Sequence, residues 1–388
     1  MVVAAALAQQ APAEPQGSAA AMQAPAELQG SATTAMFARL SASRGAQPLG
    51  AFAGGGLPTT LLSCCSTALL PMLDTAAVLP LRAACREAAA AVAAHPWEDS
   101  ETVIMGRVRD WRACFPRARA ANLTNEPAYR SPQRVTRLEG ADFEHLAGLR
   151  ALNLRGRHEV TDADFAHLRG IHTLDMGKCG QITDAAFAHL AGIHTLNMSS
   201  CNPAGITDAA FAHLRGIHTL DMSSCAGITD AAFAHLRGIH TLRMSQCRQA
   251  GITDAAFAHL AGIHTLDMSG CTQAGITNAA FANLGGIHEL AMSACDQAGI
   301  TDAAFAHLAG IHALDMSWCS QDGITDAAFA HLTGIHKLSM SYCSQGTITA
   351  AAPGHLQGIG KLVMWCCSRP VVEAARALGL PVRALPSA

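Results

Sequence analysis

From residue 149 to about residue 370, apolar and polar positions recur in a fixed order close to ITDAAFAHLAGIHTLDMSGC. Leu149, Ile171, Ile193, Ile217, Ile239, Ile263, Ile287, Ile311, Ile335 and Ile359 each open a short strand-like piece, and successive anchors lie 22 or 24 residues apart. A period of this length marks a solenoid, in which one unit cannot bury its apolar face alone and must stack on the next. In the unit that starts at Ile193, the buried positions Ile193, Leu196 and Met198 alternate with Thr195, Asn197 and Ser199, which predicts a strand with one buried face. Cys201 and a Gly-containing loop follow, and Ile206 returns to the core. Thr207 or Asp208 supplies a helix N-cap oxygen. Ala209, Ala210, Phe211 and Leu214 predict a short helix with Phe and Leu turned inward, and Gly216 suits the left-handed residue that ends it. The longer units carry two extra residues after the Cys, in a loop where insertion costs little.

The spacing L-x-x-L-x-L followed by Cys resembles the cysteine-containing class of leucine-rich repeats, over roughly half of the chain. That resemblance implies a right-handed, curved α/β solenoid with parallel strands on its concave face and short helices outside.

The N-terminal part differs. Residues 1–56 are rich in Ala, Gln, Gly, Pro and Ser, and APAEPQGSA nearly recurs as APAELQGSA, a composition expected to be disordered. Residues 57–97 follow another pattern: Leu57-Pro58, then Leu61-Leu62, then Leu79-Pro80-Leu81-Arg82-Ala83-Ala84-Cys85-Arg86, closing at Trp97. Its order and length resemble an F-box, with Ala84 and Ala88 departing from the larger side chains usual there. The competing reading is a helical cap closing the solenoid. Residues 98–148 form a junction in which FPRARAANL resembles a degenerate first repeat strand, and residues 371–388 contain a final helix and tail.

Charge narrows the function. The formal net charge is −3 with histidines neutral, which argues against general nucleic-acid binding. No apolar run is long enough to cross a membrane as a helix. Most of the fourteen cysteines and nearly all nineteen histidines are copies of single repeat positions. Buried, reduced cysteines and inherited surface or edge histidines are expected, with no metal centre and no cofactor. No GxSxG, HExxH or phosphate-binding GxxxxGK[ST] motif occurs, so the chain reads as non-enzymatic.

An F-box followed by such repeats resembles the substrate receptors of SCF-type, cullin-based ubiquitin ligases. The resemblance implies a cytoplasmic or nuclear protein with two partners. An F-box adaptor would engage Leu57, Pro58, Leu62, Leu81, Cys85 and Trp97, some of them in contact and others packing the small domain. A target protein of unknown identity would bind the repeats. The alternative is an interaction scaffold with no ubiquitin link. On the exposed strand positions, copying breaks at Arg243, Glu289, Lys337 and Lys361, and Trp318, Tyr342 and Trp365 bring aromatic rings to three consecutive repeats. Those seven residues are the expected partner-contact patch, because large amphipathic side chains dominate binding energy.

Overall fold

The computed structural model describes residues 86–104, 106–125, 137–201 and 205–384, together with Thr75, Val78, Leu79 and Arg82. Among them lies one sheet of twelve parallel strands in sequence order. It begins with β1 (Ala120–Asn122) and β2 (Ala151–Asn153), and β3 (Thr173–Asp175), β4 (Thr195–Asn197), β5 (Thr219–Asp221) and β6 (Thr241–Arg243) follow. β7 (Thr265–Asp267), β8 (Glu289–Ala291), β9 (Ala313–Asp315), β10 (Lys337–Ser339) and β11 (Lys361–Val363) continue it to β12 (Val382–Arg383). The register is the same throughout: Leu196 faces Leu220, Leu220 faces Leu242, and Leu338 faces Leu362. β1 is the strand expected within FPRARAANL.

Each repeat contributes the same buried set. Ile193, Leu196, Met198, Cys201, Ile206, Ala210, Phe211 and Leu214 are all at most 2% exposed, and their counterparts stack on either side in one continuous core. Burying a side chain the size of Phe or Leu is worth about 1.5–3 kcal/mol, so stacking rather than helix propensity holds these units. The helices are a single turn, as in Asp208–Phe211, too short to persist alone. Gly216, at φ 80°, ends that turn and admits the chain to the next strand.

At the other end of each strand the chain bends through a left-handed residue. Ser200, Gln246, Trp318 and Tyr342 hold φ between 56° and 63°, although none is glycine. The hydrogen-bond ladder enforces the bend. The N–H of Trp318 donates to Ser341 O (2.8 Å) and that of Tyr342 to Trp365 O (2.7 Å), while Cys319 N–H turns back to Met316 O. Gly156 and Gly270 meet the requirement without steric penalty, and at Gly270 a Cβ would collide with the Gln246 side chain.

The ends of the array are closed differently. A helix Arg369–Ala377 precedes β12 and stops at Gly379 (φ 70°), whose N–H donates to Arg376 O while Leu380 N–H donates to Ala375 O. At the N-terminal side, helix Arg86–Ala94 and helix Val108–Cys114 flank a second, small core of Val78, Val92, Trp97, Phe115 and Ala118. Among the described residues no helix is long and apolar enough to cross a membrane.

Candidate functional site

Three inter-repeat ladders fix where side chains stand. The first lies at the helix starts. Thr207 caps its own helix by accepting from Ala209 N–H (3.3 Å), while Asp208 reaches forward to Thr229 of the next repeat. Both residues between which the sequence left the cap open are therefore used, for different bonds.

The second ladder is sulfur. Cys225 Sγ–H donates to Met198 O at 3.3 Å, Cys271 to Met244 O at 3.1 Å and Cys319 to Met292 O at 3.1 Å, each one repeat back. These cysteines are free and buried. Burial pushes their thiols up, to about 12 for Cys201, Cys271 and Cys295. They are weak nucleophiles for that reason.

The third ladder is imidazole. His172, His194, His218, His240, His264, His288, His312 and His336 stack face to face, with neighbouring ring centroids 4.5–4.7 Å apart and planes within 11–16° of parallel. A metal ion would have to lie in the planes of two rings at once, and parallel planes do not meet. Nδ1 pairs with the hydroxyl of the following Thr at 3.2–3.3 Å from His172 to His264. At His288 the following residue is Glu289, and the buried Nδ1 has no partner. Among the described residues no three His, Cys, Asp or Glu side chains converge as a metal centre requires.

The acidic series on the sheet surface proves local. Asp221 Oδ1 accepts Ser223 N–H, Asp267 accepts Ser269 N–H and Asp315 accepts Ser317 N–H, all at 3.0 Å. These carboxylates hold the strand-end bend. Asp175 does the same with Gly177, and burial raises its pKa despite that bond and the nearby Arg155.

Against this copied background the expected partner residues fall in two places. Arg243 is exposed in the third position of β6, between Asp221 and Asp267. Glu289, Lys337 and Lys361 occupy the first position of β8, β10 and β11, with Lys337 directly opposite Lys361. Trp318 and Tyr342 sit at the far ends of their strands, in the left-handed bend, and their rings stack at 3.9 Å with planes 9° apart. Trp318 is 54% exposed. Trp365 is also exposed, but it stands one residue earlier in its repeat, opposite Ser341, where its N–H donates to Ser341 Oγ (3.2 Å). The position opposite Tyr342 belongs to Cys366, which shares its left-handed bend and raises the tyrosine's pKa. The lysines and the stacked rings therefore occupy opposite strand ends.

Of the six adaptor-facing expectations, Leu57, Pro58, Leu62, Leu81 and Cys85 lie outside the described residues, as does the low-complexity segment 1–56. Trp97 is 2% exposed. Its Nε1–H donates to Val92 O (2.8 Å) and its ring meets Phe115 edge-on at 5.7 Å. It stands among the residues that pack the small core. Its carbonyl also accepts Arg119 N–H (2.6 Å) and Ala120 N–H (3.2 Å), which attaches that core to β1.

Parallel strands in sequence order, one short turn per repeat and a buried cysteine after each of β3 to β10 decide the architecture. The fold is the leucine-rich-repeat solenoid. Solved structures of this shape include TLR13 in the crystal structure of its complex with ssRNA13, with TM-score 0.50 and 19% identity, over 65% of this chain and 36% of that one. Toll in the Drosophila Toll–Spatzle complex matches with TM-score 0.47 and 15% identity, over 64% and 37%. An internalin from Listeria monocytogenes matches with TM-score 0.45 and 16% identity, over 72% and 89%. The chain thus spans little more than a third of the TLR13 and Toll chains. No protein-family model matches the sequence, and no curated protein does.

Proposed function

We propose that this leucine-rich-repeat chain is a non-enzymatic protein-binding receptor whose partner docks at the C-terminal end of the sheet. The observation that carries this reading is the exposed stack of Trp318 on Tyr342. Two large rings replace the Ser200, Ser224 and Ala294 of equivalent bends, at positions where a left-handed backbone makes bulky side chains unfavourable. Exposed, pre-stacked aromatic surface is the material of a binding hot spot.

The finer reading is a substrate receptor of an SCF-type ubiquitin ligase, with residues 57–97 docking on the F-box adaptor. The motif order Leu57-Pro58, Leu81, Cys85, Trp97 supports it. Reconstitution tests this directly. Full-length protein is mixed with purified adaptor and compared with the Leu57→Ala/Pro58→Ala variant. Capture by the native chain and loss in the variant support the ligase reading. If the native chain captures no adaptor, the ubiquitin link falls and the plain scaffold stands.

A further inference from the structure

The imidazole ladder runs from repeat to repeat along one edge of the sheet. Its rings lie at the edge where each turn enters a strand. His172, His218, His240, His312 and His336 are exposed, and His194, His264 and His288 are partly so. The backbone register extends the row beyond the histidines. His172 N–H donates to Arg150 O, and Arg150 N–H donates to Arg119 O, so Arg119 and Arg150 occupy the same position in the two preceding strands. Both are exposed. At the other end the row stops at Gly360, where a Cβ would collide with the His336 ring. The result is one continuous file of ten side chains: two permanent cations followed by eight imidazoles, the side chain whose ordinary ionisation lies nearest neutral pH.

The surroundings leave that charge nearly uncompensated. On the strand side the rings meet neutral Thr173, Thr195, Thr219, Thr241 and Thr265. Glu289 is the carboxylate beside the histidines, Glu98 pairs with Arg119 at 3.5 Å at the N-terminal end, and Lys337 adds a cation at the other end. Asp175, Asp221, Asp267 and Asp315 stand two residues further along their strands, with Oδ1 committed to strand-end N–H groups. The turns before β3, β5 and β6 bring Arg169, Arg215 and Arg237, whose Nε–H groups donate to His189, His235 and His259 of the helix-end series at 3.3–3.4 Å. His145, His167, His213, His307, His331 and His355 continue that series. For His194, burial first and the flanking His172 and His218 next oppose protonation. Each proton on the file is repelled by its neighbours, and a ligand that brings negative charge along the whole row relieves that repulsion. By linkage, such a ligand binds more tightly as protons are taken up. A linear polyanion gains over single ions because every further contact is intramolecular.

We propose that the file Arg119–Arg150–His172 to His336 is a proton-gated binding edge for a linear, phosphate-rich polyanion, nearly silent at neutral pH and engaged in mildly acidic conditions. Protonation of the eight rings reverses the sign of the chain's formal charge of −3. The neutral-pH charge that argues against nucleic acid thus does not apply to this edge once it is protonated. The protein-binding reading of the opposite strand end stands or falls independently.

Calorimetry of the full chain with short inorganic polyphosphate, and separately with a single-stranded DNA oligonucleotide, at about pH 7.5 and about pH 5.5 tests the proposal. Binding at the lower pH should be at least roughly tenfold tighter and should take up protons, measured by comparing buffers of different ionisation enthalpy. The triple variant His218→Gln/His240→Gln/His264→Gln should lose most of that gain, while His213→Gln/His235→Gln/His259→Gln retains it, with unchanged circular dichroism in both. Tightening with polyphosphate alone identifies a free polyphosphate as the source, tightening with DNA alone identifies a nucleic-acid backbone, and either supports the phosphate chemistry. Equal affinity at the two pH values in both arms, or a gain that survives the ladder triple variant, overturns the proposal.

Discussion

Asp208 accepts two hydrogen bonds from Thr229 of the following repeat, one from its backbone N–H at 2.7 Å and one from its hydroxyl at 2.5 Å. The same pair recurs from Thr183–Asp162 to Thr349–Asp326, and each such Thr also caps its own helix. One position breaks the pattern. Asn278 replaces Asp, and its Nδ2–H donates to Thr301 Oγ1 at 2.8 Å. Thr301 then makes no side-chain cap bond to its helix, Asp302–Phe305. Asn278→Asp should return the Thr301 hydroxyl to capping and add an acid at a helix start. The expected gain is about 0.5–1 kcal/mol in chemical denaturation, the usual worth of a cap. An unchanged or lower midpoint would show that the ladder is decorative.

The cysteine ladder predicts a reactivity order. With their thiols raised to about 12 by burial, Cys201, Cys271 and Cys295 hold almost no thiolate at pH 8. Cys366 is exposed. Timed alkylation of native protein followed by peptide mass spectrometry should label Cys366 first and the repeat cysteines only on unfolding. Labelling of Cys271 at the rate of Cys366 would contradict the buried ladder.

The aromatic patch divides by coupling. Trp318 and Tyr342 share a stack, whereas Trp365 is one register position away. A double-mutant cycle on stability with Trp318→Ala and Tyr342→Ala should give a coupling of roughly 0.5–1.5 kcal/mol, as for stacked rings elsewhere. Trp318→Ala with Trp365→Ala should be additive. Equal coupling in both cycles would mean that the three rings form one cluster.

Asp99 ties Thr75 to the junction. It accepts the Thr75 N–H (2.7 Å) and hydroxyl (2.8 Å) and the N–H groups of Glu101 and Thr102. Burial alone would raise its pKa, but these bonds outweigh it and lower it from 3.8 to about 2. A depressed carboxylate stabilises the fold fully above its ordinary pKa and loses that contribution as pH falls through its folded value. The attachment should therefore loosen between about pH 4 and 2. Near-ultraviolet circular dichroism of the Trp97 environment should report this change, and Asp99→Asn should flatten it. An identical acid transition in the variant would assign the change to other groups.

The core was legible because the repeat period and the alternation around Ile193, Leu196 and Met198 leave one way to bury them. The cap was half legible: Thr207 and Asp208 both suit an N-cap, and only the neighbouring repeat reveals that Asp208 bonds outward to Thr229. The bond from Ser223 N–H to Asp221 spans only two residues and is a common turn device that a local reading could have found. The histidine series was visible as copies. Its stacking needed the strand register, which places equivalent residues one strand spacing apart. That register also brings Arg119 and Arg150 into the file; Arg150 follows the anchor Leu149 as His172 follows Ile171, whereas nothing in the period signals Arg119, whose strand lacks the repeat phrase. Counting forward from Lys337 and Lys361 would have separated Trp365 from Tyr342, since the two lie four and five residues on from their aligned lysines.

Partner capture from cells that express this protein tests the central claim most directly, with native chain compared against Trp318→Ala/Tyr342→Ala, each cross-linked and read by quantitative mass spectrometry. If the stacked rings are the docking point, at least one protein cross-links to peptides spanning residues 318–342 of the native chain and is depleted at least tenfold with the variant. Thermal stability of the variant should stay within a few degrees of native, since each ring is surface-exposed or partly so. The same partners recovered at the same level from both proteins would contradict the account and move the search to another part of the sheet.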